Sequence, residues 1–330
     1  MNAAEATALR SDHIPVLLNE VSKALAPKKG GRYVDGTFGA GGYTIALLEA
    51  AECMVWAIDR DPATLAKGEV IAKLFPERLH LVKGRFGDMV KLLSEQGVMS
   101  VDGIALDLGI SSMQIEDRSR GFSFLRDGPL DMRMERSGRS AADVVNTMSE
   151  KDLANIILTY GEERHARRVA RAIVGARQER PFSRTLRLAD VIRAEVRRSH
   201  DGIDPATRTF QALRILVNDE LGELERGLQN AEHLLSPGGV LAVVSFHSLE
   251  DRIVKKFIKT RSGMASKPSR HAPASVTPNQ DIATFSALSR RPITPRDKEK
   301  AKNPRARSAR LRIAERTSAP SLITLGGGLA

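Results

Sequence analysis

The stretch Tyr33-Val34-Asp35-Gly36-Thr37-Phe38-Gly39-Ala40-Gly41-Gly42-Tyr43-Thr44 opens on an apolar pair and then places four glycines within seven residues. A short strand that runs straight into a glycine turn puts a ligand at the carboxyl edge of a sheet. Glycine lets the chain turn tightly and lets a ligand reach the backbone. The dinucleotide fingerprint G-x-G-x-x-G is absent, because Thr44 stands where the third glycine would fall. Outward from this loop, short apolar runs at 33–34, 54–58, 79–82, 103–106 and 240–245 alternate with helical patterns. That rhythm predicts an α/β fold with a doubly wound, Rossmann-like, mostly parallel sheet.

The gap between the fourth and fifth runs reads differently, being rich in Arg, Ala and Glu with apolar residues at helical spacing. Ser149 followed by Asp152 marks a capped helix start, and further helices are expected over 165–174 and 186–196. One crossover needs one helix, so this region predicts an inserted all-helical domain at 117–205 within a sheet domain made of 1–116 and 206–330. A long helix over 207–235 is expected to end at Ser236-Pro237-Gly238-Gly239, just before the fifth strand. Residues 261–280 carry too little apolar surface to fold alone and read as a mobile loop, and alternation at 310–314 reads as a closing strand.

The net charge of +11 is concentrated near the C-terminus. Residues 252–316 hold 18 of the 51 Lys and Arg but 4 of the 40 Asp and Glu, which leaves 33 bases against 36 acids elsewhere. Such a segment attracts nucleic acid by counterion release, with an anionic membrane surface behind it and a solvated charged face as the plain alternative. The single cysteine, Cys53, fits a reducing cytoplasm, and no signal-peptide pattern or membrane-length apolar run is seen.

Carboxylates recur at the ends of the predicted strands. Asp35 follows the first, where it would attract a cationic ligand such as the sulfonium of S-adenosylmethionine or would cap its own turn. Asp59 ends the second, about 20 residues past the glycines, where an acid accepts from ribose hydroxyls. Asp107 ends the fourth. Phe86, after the third, reads as an adenine platform or as core. His247, after the fifth, reads as a proton acceptor or as a structural histidine held by a carboxylate. No metal-ligand spacing, G-x-S-x-G elbow or P-loop is present, which removes support for hydrolase and triphosphatase chemistry.

Ten ordered segments carry a family resemblance: HIPVLLNE at 13–20, DGTFGAGG at 35–42, AIDRD at 57–61, DLGISS at 107–112, RGFSF at 120–124, DGPLDMRM at 127–134, YGEER at 160–164, TRTFQALRI at 207–215, SFHSLEDR at 245–252 and NPRARS at 303–308. In order and spacing the chain resembles the MraW (RsmH) family of bacterial small-subunit ribosomal RNA cytosine-N4 methyltransferases. The resemblance implies S-adenosylmethionine as cofactor, bound through Gly41, Gly42, Tyr43, Asp59, Phe86, Asp107 and Gln114. It implies methylation of a cytidine N4 in the decoding region of 16S ribosomal RNA, probed on naked RNA or on the small subunit, by an enzyme that aligns reactants and removes a proton, with Asp107 or His247 as acceptor. Two positions depart from the family pattern, Tyr43 in place of His and Met113 in place of Pro. The helical insert and basic residues Arg305, Arg307 and Arg310 are expected to hold flanking phosphates. A noncatalytic RNA-binding assembly factor that retains a cofactor pocket is the rival reading.

Overall fold

In the computed structural model, which describes residues 15–197, 202–263 and 282–322, the short apolar runs pair into one seven-stranded sheet. Strands β1 (Arg32–Asp35), β2 (Met54–Asp59), β3 (Leu79–Lys83), β4 (Val101–Asp107) and β5 (Leu235–Ser245) are parallel. β7 (Arg310–Arg316) lies between β5 and β6 (Phe285–Ala287) and pairs antiparallel with both. The order β3-β2-β1-β4-β5-β7-β6 reverses between β1 and β4, so a crevice opens at the carboxyl ends of those strands. This is a doubly wound, Rossmann-like sheet, as the sequence rhythm predicts.

Side chains alternate across it. Tyr33, Val55, Ala57 and Val244 enter one core, while Val34, Trp56, Ile58 and Val243 enter the other, as a sheet covered on both faces requires. The helices of this unit include α1 (Leu18–Leu25), α2 (Gly42–Ala50), α3 (Pro62–Ala72) and α4 (Met89–Ser94), joined later in the chain by α12 (Ser248–Arg261) and α13 (Asp297–Lys302).

The second unit, Ile110–Leu221, is helical. It holds α5 (Ser112–Glu116), α6 (Ala141–Thr147), α7 (Glu150–Gly161), α8 (Ala166–Glu179), α9 (Thr185–Glu195) and α10 (Ala206–Asn218), around a core that includes Val145, Leu153, Ile157, Ile173, Leu188 and Leu213. Ser149 caps α7, its hydroxyl accepting from Asp152 N at 3.1 Å. Sequence rhythm set the edges of the insert at 117 and 205. The compact unit also takes in α10, which docks on α7: Gln211 Nε2 donates to Tyr160 O at 2.9 Å, and a Cβ on Gly161 would lie 2.5 Å from Arg208 O. Two of the matched segments close on each other here. A Cβ on Gly121 would meet Pro129 O at 2.0 Å, one on Gly128 would meet Arg118 O at 2.0 Å, and Arg120 donates to the carbonyls of Arg133 and Met134.

Three expectations are corrected. The helix expected over 207–235 is two helices, α10 and α11 (Glu220–Leu234), because Asp219 takes a left-handed conformation with φ 51°. Ser236-Pro237-Gly238-Gly239 does not precede β5 but bulges within it: Leu235 already pairs with Val101, and pairing resumes at Val240 opposite Gly103. Gly238, at φ 80°, supplies the turn. Arg261 is no loop residue, since it ends α12 and its Nε meets the buried Glu232 carboxylate at 2.6 Å. The rest of the expected mobile loop, from 264 to 280, lies outside the described residues.

Candidate functional site

The glycine loop is tied to three strand ends. Asp35 is 1% exposed, its Oδ2 accepting from Thr44 Oγ1 at 2.7 Å and its Oδ1 from Thr37 N at 3.2 Å. The turn-capping alternative is therefore its observed use: it buckles the loop to the first turn of α2. Asp59 holds the loop from β2, with Oδ2 accepting from Gly39 N at 2.9 Å and Oδ1 from Asp61 N at 2.8 Å. Thr37 holds it from β4, its hydroxyl oxygen accepting from Asp107 N at 2.6 Å. Gly41 has φ 80°, and a Cβ there would meet Ile71 Cδ1 at 2.8 Å. A Cβ on Gly42 would fall 1.9 Å from Pro15 Cγ, so Pro15 lies directly on the loop.

Asp107 differs from the other two acids. Its Oδ1 is buried and has no hydrogen-bond partner, an arrangement that costs free energy unless a donor or cation arrives. Burial pushes its carboxyl well above the usual range, and the neighbouring Asp35 and Glu250 carboxylates push it the same way. Burial likewise raises Asp35 and Asp59 to about 6, against the hydrogen bonds that lower them. Three carboxyls short of counter-charge, one with an unsatisfied acceptor, fit a ligand that brings positive charge and amine donors.

Of the residues expected at the site, Gly41, Gly42, Asp59, Phe86 and Asp107 share this sheet edge. Phe86 follows β3 and is part-buried against the core; its Cβ is 3.1 Å from where a Cβ on Gly36 would stand. A Cβ on Gly227 of α11 would lie 2.4 Å from Phe86 Cδ2, so that glycine makes room for the ring. Tyr43 can offer only its backbone: its ring is 4% exposed in the core and its hydroxyl donates to Val16 O. That explains why an aromatic phenol is accommodated here. Gln114 lies in the helical unit, where it completes the capping box of α5 with Ser111.

His247 is the N-cap of α12. Its Nδ1 accepts from Glu250 N at 3.5 Å, its Nε2 stands 3.1 Å from Glu250 Oε1, and Glu250 Oε2 accepts from Phe246 N at 2.8 Å. The imidazole caps α12 through Nδ1, while its buried Nε2 lies near the Glu250 carboxylate without a hydrogen bond to it. Sequence reasoning missed Thr37, Thr44, Gly227 and the Arg60–Glu223 ion pair, closed at 2.6 Å beside Gly87. The two threonines stood inside the quoted loop and were legible as local side-chain-to-backbone formers. Gly227 and Glu223 lie far along the chain, with no local signal.

The model of the MraW methylase family matches residues 10–317. A protein named ribosomal RNA small subunit methyltransferase H from Paramagnetospirillum magneticum is 62% identical over 313 residues, covering 95% of this chain and 98% of its own. One of the same name from Rhodospirillum centenum is 62% identical over 309 residues, covering 94% and 93%. Among solved structures, a putative rRNA methylase from Clostridium thermocellum superposes with a TM-score of 0.42 at 13% identity, over 92% of this chain and 99% of that one. The chain belongs to the MraW methylase family, and its cofactor is S-adenosylmethionine.

Proposed function

We propose that this protein methylates the exocyclic N4 of a cytidine in the decoding region of 16S ribosomal RNA, with the small ribosomal subunit as the working substrate in the cytoplasm. The name of its relatives supports a small-subunit ribosomal RNA target. The observation that carries the chemistry is the buried, unpartnered Oδ1 of Asp107 at the carboxyl end of β4.

Gly41, Gly42 and the backbone of Tyr43 form the turn that admits the cofactor, Asp59 accepts from ribose hydroxyls, and Phe86 offers its face to adenine. When bound, S-adenosylmethionine supplies an electrophilic methyl on a positively charged sulfur. Positive charge in the crevice favours ionised Asp107, whose carboxyl burial pushes well above its usual range. Ionised, Asp107 orients the cytosine amine and accepts a proton as the N–C bond forms, so the work of the chain is alignment and proton removal. His247 serves the start of α12 and contributes by placing the Ser245–His247 turn beside β4. Gln114 and the helical unit contribute to holding substrate, with the target base turned out of its stack.

The test is transfer of labelled methyl from S-adenosylmethionine to small subunits from cells that lack the protein, followed by nucleoside analysis. Label in N4-methylcytidine is the expected result. Label in another nucleoside overturns the base assignment, and no label on subunits or naked ribosomal RNA favours an assembly factor that keeps a cofactor pocket.

A further inference from the structure

Two matched segments, at 160–164 and 207–215, meet in the helical unit and line a cavity of about 300 Å³. Four guanidinium groups border it, those of Arg164, Arg168, Arg197 and Arg208. Its two acids are already engaged. Glu163 Oε1 accepts from His165 N at 2.8 Å and its Oε2 lies 3.9 Å from Arg208, while Asp204 is gripped by Arg193 at 2.9 Å and accepts from Ala206 N. Arg168 leans on Glu195 at 3.3 Å, but Arg164 and Arg197 have no acidic partner among the described residues. Val196, Ile203 and Pro205 supply an apolar side, and Ile203 is 44% exposed.

We propose that this cavity binds a phosphodiester of the RNA substrate together with its attached base. The inference rests on the RNA reading above. A guanidinium fork matches a phosphate's oxygens bidentately, and exposed guanidiniums gain from releasing counterions. The volume suits a nucleotide rather than a bare anion, being at the small end of ligand pockets. The apolar side gives a base a surface to lie on, which a site for free phosphate does not need.

Arg164→Glu and Arg197→Glu, alone and together, test it in the full-length protein. Arg167→Glu, an exposed residue of α8 outside the cavity, serves as the charge control. Methyl transfer to small subunits is followed against subunit concentration and salt. The expected result is a KM for subunits raised about tenfold or more by each cavity variant, and a salt dependence shallower by about one in log-log slope per lost phosphate contact. The kcat at saturation and the KM for S-adenosylmethionine stay at wild-type values. Effects no larger than those of Arg167→Glu overturn the proposal, and they do so even if phosphorus NMR shows inorganic phosphate entering the cavity, which would make it a site for a free anion. Failure of the RNA reading is separately visible, because wild-type protein would then methylate no RNA.

Discussion

The crevice at the ends of β1, β2 and β4 and the cavity of the helical unit are opposites in charge. The crevice gathers carboxyls whose pKa values burial raises. The cavity gathers guanidiniums whose nearby acids are already engaged. One suits a cationic cofactor and the other a polyanion. The difference teaches that local unsatisfied charge, not total charge, marks a site. The basic C-terminal segment makes the point in reverse: Arg310 and Arg312 are both held by Asp251, at 2.9 and 2.6 Å, and Arg316 is buried, donating to the carbonyls of Glu232 and Thr284. Arg310, expected to hold RNA, is engaged in pinning β7 to α12.

The comparison breaks most sharply at Asp107. Asp107→Ala removes the proposed proton acceptor and should lower kcat by about 10² to 10⁴. Subunit binding, measured by filter retention, should stay at the wild-type level because the cavity is untouched. Wild-type kcat in this variant would show that the unpartnered carboxyl has no part in the reaction.

How far the sequence could be read follows the same division. The sheet was legible because each parallel strand is a continuous apolar run with a signal at its end, and the strand-end acids then fell at one edge by topology alone. Which of the two uses of Asp35 applies was not legible, because its partner, Thr44, is nine residues away across a turn whose path the sequence does not give. The break at Asp219 was hidden since a left-handed aspartate leaves helical periodicity on both sides intact. The cavity was invisible altogether. It needs residues near 164, 197 and 208 to converge, and only tertiary packing of α7 on α10 brings them together.

A second contrast separates the two regions by solution conditions. Asp35 and Asp59 have folded pKa values near 6 against 3.8, so the folded protein binds protons more tightly than the unfolded chain in that window. Their contribution to stability is fully present below about 4 and is lost as pH rises through about 6, with Asp107 extending the trend upward. A cationic cofactor needs the same groups ionised. Its affinity should fall about tenfold per pH step for each proton displaced below pH 6, as read by calorimetry, and Asp59→Asn should flatten the curve. Raising salt from 50 to 200 mM should weaken subunit binding about tenfold or more while changing cofactor affinity little. Equal salt sensitivity of the two ligands would erase the distinction.

The smallest effect is expected at His247, where the two readings of one imidazole diverge. As an N-cap, it is replaceable by Asn, a residue that favours the same position, so His247→Asn should keep kcat within about threefold and stability within a few tenths of a kcal/mol. His247→Ala should lose about 1 kcal/mol of stability, visible as a lower denaturation midpoint, with methyl transfer per folded molecule little changed. A fall in kcat of about a hundredfold in the Asn variant, with folding intact, would instead move the proton to His247. Asp107 would then be left to place the amine, its buried carboxyl serving orientation rather than transfer.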